Sequence, residues 1–120
     1  ISIHLTYRAQ TEFFTGDASQ FKRMLINLIR NSIQADADMV NFSIDENEKY
    51  LLVSVSDNGK GIPDKFLNKI FNLNFTTKST GMGIGLKLAK KFVESIDGDI
   101  AVKETSESGT TFLINLPKDI

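Results

Sequence analysis

Two asparagines, Asn27 and Asn31, stand four residues apart in a segment whose apolar residues Phe21, Met24, Leu25, Leu28 and Ile29 recur at helical spacing. That spacing puts both amides on one face of a helix. Asparagine is a mediocre helix former because its side chain competes for backbone groups, so a mid-helix pair is either a solvated stripe or a site. As a site, Asn31 offers an amide oxygen to Mg²⁺, a hard cation held mostly by phosphate and water beside a few protein oxygens. A second set, Asp57, Gly59 and Gly61, leaves the end of an apolar strand. It reads as a plain turn, or as a base-binding site in which the carboxylate accepts from an exocyclic amino group while the glycines let backbone approach a flat ring. Adenine carries that amino group; guanine presents a carbonyl there and is repelled.

A third set, Gly81-Met82-Gly83-Ile84-Gly85-Leu86, opens a helix. Backbone amides at a helix start, free of side-chain obstruction, attract phosphate through unsatisfied donors and the helix dipole. The spacing is not that of the dinucleotide fingerprint, no strand precedes it, and a Walker motif is absent. The fourth, Gly109-Thr110-Thr111-Phe112, begins the last strand. There the Thr110 hydroxyl either joins a polar network around Asp57 or is simply a good strand residue.

The elements that must position these groups follow from hydrophobic period. Ile1, Ile3, Leu5 and Tyr7 alternate with polar residues and predict a strand with one buried face, followed by a short extended piece at residues 12–15. A helix is expected after Asp17, running to about Ala35, then a hairpin of strands near Met39–Ile44 and Tyr50–Ser56. A glycine-rich loop leads to a short helix over residues 64–70, and the stretch 72–82 has no periodicity. A helix from Gly83, stopped by Gly98, and a hairpin near Ile100–Glu104 and Thr110–Leu116 complete the chain. Strands in hairpins with helices arriving singly predict a two-layer α/β sandwich: a mixed, mostly antiparallel five-stranded sheet under about three helices.

The 120 residues form one expected domain, residues 1–120, with 41% hydrophobic residues, enough for a single core. A net charge of −1 with scattered Lys and Arg gives no footprint for nucleic acid or an anionic membrane. No stretch approaches the length of a membrane span, and no cysteine is present, which excludes disulfides, thiolate metal sites and thiol nucleophiles. A soluble piece is therefore expected, compatible with a reducing cytoplasm, and the opening on Ile1 suggests that it is cut from a longer protein.

In this order the motifs resemble the GHKL superfamily of ATP-binding domains, and most closely its sensor histidine kinase branch. Asn27–Asn31 is similar to the N box, Asp57–Gly61 to the G1 box, Phe71–Phe75 to the F box, Gly81–Leu86 to the G2 box, and Gly109-Thr110 to the closing G3 element. The resemblance implies the Bergerat fold, with ATP and Mg²⁺ as cofactors. It implies Asp57 as adenine anchor, Asn31 as metal ligand, and Asn27 as a phosphate-side helper. It further implies Gly59, Gly61 and Ile62 around the base, Gly81, Gly83, Gly85 and Leu86 around the phosphates, and a lid over residues 72–82.

Hydrolytic relatives such as DNA gyrase and the heat-shock chaperones place a glutamate base where Asn27 stands, and an amide cannot take a proton from water. The implied chemistry is transfer of the γ-phosphate to a histidine on a separate dimerisation domain, with a response regulator served indirectly and the isolated domain monomeric. A family lysine near Gln34 is missing; Arg30 and Lys78 are the expected substitutes. Leu73-Asn74 replaces the usual Pro-Phe of the F box, and Thr76-Thr77-Lys78 is similar to the nitrogen-regulation type. His4, in an alternating strand, is expected to be an ordinary strand histidine, with the phosphate acceptor lying before Ile1. A serine kinase of the anti-sigma-factor type and a non-catalytic ATP-binding signalling module are the alternatives.

Overall fold

The computed structural model describes residues 2–8, 18–67, 69–71 and 84–118. Within them, five strands form one sheet: β1 (Ser2–Tyr7), β2 (Met39–Glu46), β3 (Tyr50–Asp57), β4 (Asp99–Ser106) and β5 (Gly109–Pro117), in spatial order β1-β2-β3-β5-β4. β1 runs parallel to β2 and every other pairing is antiparallel, giving the expected mixed sheet. Two α-helices, α1 (Ala18–Gln34) and α2 (Ile84–Ser95), cover one face, so the described helix count falls below the three expected. The predicted helix over residues 64–70 is a single 3₁₀ turn, Asp64–Phe66, which starts directly after Pro63 and is too short to bury a stripe.

Strict alternation in β3 and β5 sends Leu51, Val53 and Val55, and Phe112, Ile114 and Leu116, to the helix side. There they meet Met24 and Leu28 of α1 and Leu86, Ala89 and Val93 of α2, all buried. Burying each such large side chain contributes about 1.5–3 kcal/mol, which holds the helix layer on the sheet. Helix α1 ends in a tight turn: Asp36 takes the left-handed region at φ 64°, and the Ala37 N–H returns to the Ser32 carbonyl at 3.0 Å. That turn points the chain back into β2 and fixes where the last turn of α1, with Asn31, meets the end of β3.

The expected buried face of β1 is not found. Ile3, Leu5 and Tyr7 lie opposite Val40, Phe42 and Ile44 and so on the helix side, yet they are more than half exposed, because β1 is the sheet edge. Its far end is tied down by Arg8, whose guanidinium forks onto the Asp45 carboxylate at 2.6 Å through both Nε and NH2. The hydrogen bond from Arg8 and its positive charge hold the Asp45 carboxyl below its usual value, and the same bond raises the Arg8 pKa. His4 is an exposed residue of this edge strand, and residues 12–15 lie outside the described residues.

Candidate nucleotide site

Asp57 is the last residue of β3, paired with Val40, and its carboxylate is held by three donors. Oδ1 accepts the backbone N–H of Gly59 at 2.9 Å and of Thr110 at 3.2 Å. Oδ2 accepts the Ser32 hydroxyl at 2.7 Å. Ser32 also lies 3.2 Å from the Leu28 carbonyl, but it has one proton, and the nearer, charged acceptor takes it. A carboxylate offers about four acceptor positions, so three fixed donors leave one, on Oδ2, for a ligand. The arrangement is a rigid, half-buried acceptor at the end of a central strand.

The loop after Asp57 packs too closely for side chains. A Cβ on Gly59 would stand 2.6 Å from the Ala35 carbonyl oxygen, and one on Gly61 would stand 2.0 Å from that of Ser106, with Gly61 at φ 82°. Ile62 N–H donates to the Thr105 hydroxyl at 2.9 Å, and the Thr105 and Thr110 hydroxyls share a hydrogen bond of 2.8 Å. The loop is thereby pinned to the β4–β5 hairpin on one side and to α1 on the other. Gly61→Ala is expected to destabilise the domain by about 1–3 kcal/mol and to weaken nucleotide binding at least about tenfold, read by thermal melting and calorimetric titration.

Asp57, Gly61, Ile62, Thr110 and Asn31 line one cavity of about 390 Å³, floored by Phe112. That volume falls in the roughly 300–1,000 Å³ range of small-molecule sites. Asn31 enters from α1, and its Nδ2 is buried without a hydrogen-bond partner. An orphaned buried amide costs about 1–3 kcal/mol, and an oxygen-rich ligand would match such a group, its Nδ2 able to donate to a phosphate oxygen and its Oδ1 of the hard type that Mg²⁺ takes. Among the described residues no cluster of three His, Cys, Asp or Glu could hold a metal by itself; the Asn31 amide oxygen is of the hard type that suits a cation held mainly by phosphate and water.

The remaining sequence candidates separate. Asn27 lines a second groove, about 230 Å³, between α1 and α2, with Arg23 and Lys91 beside it and Met24 and Phe92 beneath. Arg30 is exposed on α1 and lines neither cavity. Leu86 is 0% exposed: it belongs to the core and does not line the nucleotide cavity. Gly85 lies in the first turn of α2, while Lys78, Gly81 and Gly83, with the expected lid, are outside the described residues. Phe71, first of the F box, packs edge-on against Phe112 at 6.4 Å and lies under Lys90, whose Nζ is 5.6 Å from the ring centroid. Sequence reasoning missed Ser32 and Thr105. Ser32 had a signal, a polar residue one position past Asn31 where the helix turns toward the sheet; Thr105, in a plain β pattern, had none.

This sandwich, with a hydrogen-bonded carboxylate at a strand end and a buried amide from a neighbouring helix on one cavity, is of the kind that ATP-binding domains use, and comparison with known proteins agrees. The chain belongs to the histidine kinase-, DNA gyrase B-, and HSP90-like ATPase family, which matches residues 16–120. It is a domain of the histidine kinase catalytic type. Sporulation kinase A of Bacillus subtilis is 38% identical over 120 residues, covering 98% of this chain and 20% of that protein. A probable C4-dicarboxylate sensor kinase of Halalkalibacterium halodurans is 42% identical over 99 residues, covering 77% of this chain and 19% of that protein. The solved catalytic domain of histidine kinase ThkA superposes with a TM-score of 0.83 at 29% identity, over 98% of this chain and 80% of that one. The chain thus spans about a fifth of the length of these two curated relatives. No helix among the described residues is long and apolar enough to cross a membrane.

Proposed function

We propose that residues 1–120 are the catalytic domain of a two-component kinase that binds Mg-ATP in the Asp57 cavity and passes the γ-phosphate to a histidine on a separate dimerisation domain. The observation that carries this reading is the shared cavity: a carboxylate with one acceptor position left, and an unpartnered amide entering from the neighbouring helix. Asp57 accepts from the adenine amino group, and Ile62 and Phe112 supply apolar wall around the ring. Asn31 would hold Mg²⁺ beside the triphosphate, where the cation would neutralise phosphate charge.

Transfer rather than hydrolysis is the chemistry that Asn27 favours in the groove between α1 and α2. Asn27 supplies no carboxylate to activate water, and Arg23 and Lys91 beside it add positive charge where an acceptor segment approaches. Positioning and charge neutralisation are the work left for the protein, because the attacking imidazole nitrogen comes from the partner domain. The domain acts in the cytoplasm, where ATP is found, with a response regulator downstream of the phosphorylated histidine.

Incubating this chain with γ-labelled ATP and a separately produced dimerisation fragment tests the reading. Acid-labile, base-stable label on the fragment is the expected result. Acid-stable label would move the chemistry to a hydroxyl acceptor of the anti-sigma-factor type, and no label despite ATP binding would make the domain a non-catalytic module.

A further inference from the structure

Asn58 stands between the base anchor and the close-packed Gly59, yet its side chain serves neither the cavity wall nor the Asp57 carboxylate. Its Oδ1 accepts the backbone N–H of Asp38 at 3.0 Å and of Met39 at 3.1 Å, and its Nδ2 donates to the Asp38 carboxylate at 2.7 Å. Two N–H donors at one end and a carboxylate at the other admit a single orientation of the amide. Val40↔Asp57 is the last register pair of β2 and β3, so the Asn58 side chain carries that ladder one step past the end of the strand. The same loop is tied to α1 twice more, by Lys60 N–H to the Ala35 carbonyl at 2.8 Å and by Ser32 to Asp57.

Together these bonds fasten the loop that bears Asp57 to the start of β2 through Asn58, to the turn after α1 through Lys60 and Ala35, and to the last turn of α1, which bears Asn31, through Ser32. We infer that Asn58 is a positioning residue of the nucleotide site, holding the base anchor and the metal-side amide at a fixed separation. Base recognition and metal recognition then reinforce each other, because a ligand that satisfies one group finds the other already in place. The inference rests on the nucleotide reading of the cavity and adds a residue to it. Asn58 itself touches neither base nor metal.

Charge exchange tests it. Asn58→Asp puts a second carboxylate against Asp38 in place of the amide donor, and adding Asp38→Asn restores a donor to that contact with the polarity reversed. ATP affinity is measured by calorimetry with and without Mg²⁺, alongside thermal melting. Asn58→Asp is expected to weaken Mg-ATP binding about three- to tenfold and to cut by a similar factor the gain in ATP affinity that Mg²⁺ provides. The double exchange is expected to restore both. A folded Asn58→Asp variant with the native magnesium gain overturns the inference, as does a folded double exchange that repairs nothing. A lowered melting temperature with an unchanged magnesium gain marks a purely structural role and also overturns it. Should Asn58→Asp fail to fold, Asn58→Ser, which keeps an acceptor without charge, is expected to show the reduced gain, and a native gain there overturns the proposal. Absence of ATP binding by the unaltered chain overturns the cavity reading itself, and this inference with it.

Discussion

Asp57→Asn is expected to weaken ATP binding by about one to two orders of magnitude while the domain stays folded. A hydrogen bond to a charged group contributes about 1.5–3 kcal/mol, and the variant replaces the ligand-facing acceptor with an N–H₂ that opposes the adenine amino group. The fold survives because the other partners can adjust. The amide oxygen still accepts from Gly59 and Thr110, and the Ser32 hydroxyl turns its proton to the Leu28 carbonyl, already 3.2 Å away. The variant should therefore melt within a few degrees of the unaltered domain in the absence of nucleotide. Calorimetric titration checks the affinity, and native affinity for ATP would remove Asp57 from the base site.

Asn31→Ala separates function from stability in the opposite sense. The Asn31 amide is buried with Nδ2 unpartnered, so its removal takes away a desolvated donor as well as some packing around it. An orphan of this kind costs about 1–3 kcal/mol, and the variant is expected to melt no lower than the unaltered domain without ligand. Its ATP affinity should become nearly insensitive to Mg²⁺, and transfer to a dimerisation fragment should fall by about 10²-fold or more, the usual loss when a fixed charge-stabilising contact is deleted. A variant that melts lower and keeps its magnesium response would show that Asn31 is only a packing residue. The two changes are predicted to differ in kind: Asp57→Asn lowers affinity whether or not the metal is present, and Asn31→Ala lowers what the metal adds.

The sequence revealed the parts whose physics is local. Alternation located β3 and β5, helical spacing located α1 and α2, and the glycines after Asp57 marked a loop where no Cβ fits. Asp57 and Asn31 stood out as candidates because each breaks a pattern, a carboxylate at the end of an apolar strand and an amide in mid-helix, and both line one cavity. What depended on strand order was not legible. Ile3, Leu5 and Tyr7 alternate as a buried face should, but β1 closes the sheet as an edge and leaves them more than half exposed. Leu86 looked like part of a phosphate loop from its glycine neighbours; in the fold it is a core residue of α2.

The hydroxyl network escaped for a related reason. Ser32, Thr105 and Thr110 come from α1, β4 and β5, and only the sheet topology brings them around one carboxylate and one loop. Asn27 shows the limit of face-sharing arguments. One helical turn from Asn31, it opens on the groove between α1 and α2, while Asn31 opens on the nucleotide cavity.

The most direct test of the central claim is a crystal structure of this chain with Mg²⁺ and a non-hydrolysable ATP analogue. The adenine amino group is expected within hydrogen-bonding distance of Asp57 Oδ2, and the Asn31 side-chain oxygen on the metal. A base bound elsewhere, or a metal with Asn31 turned away from it, would contradict it.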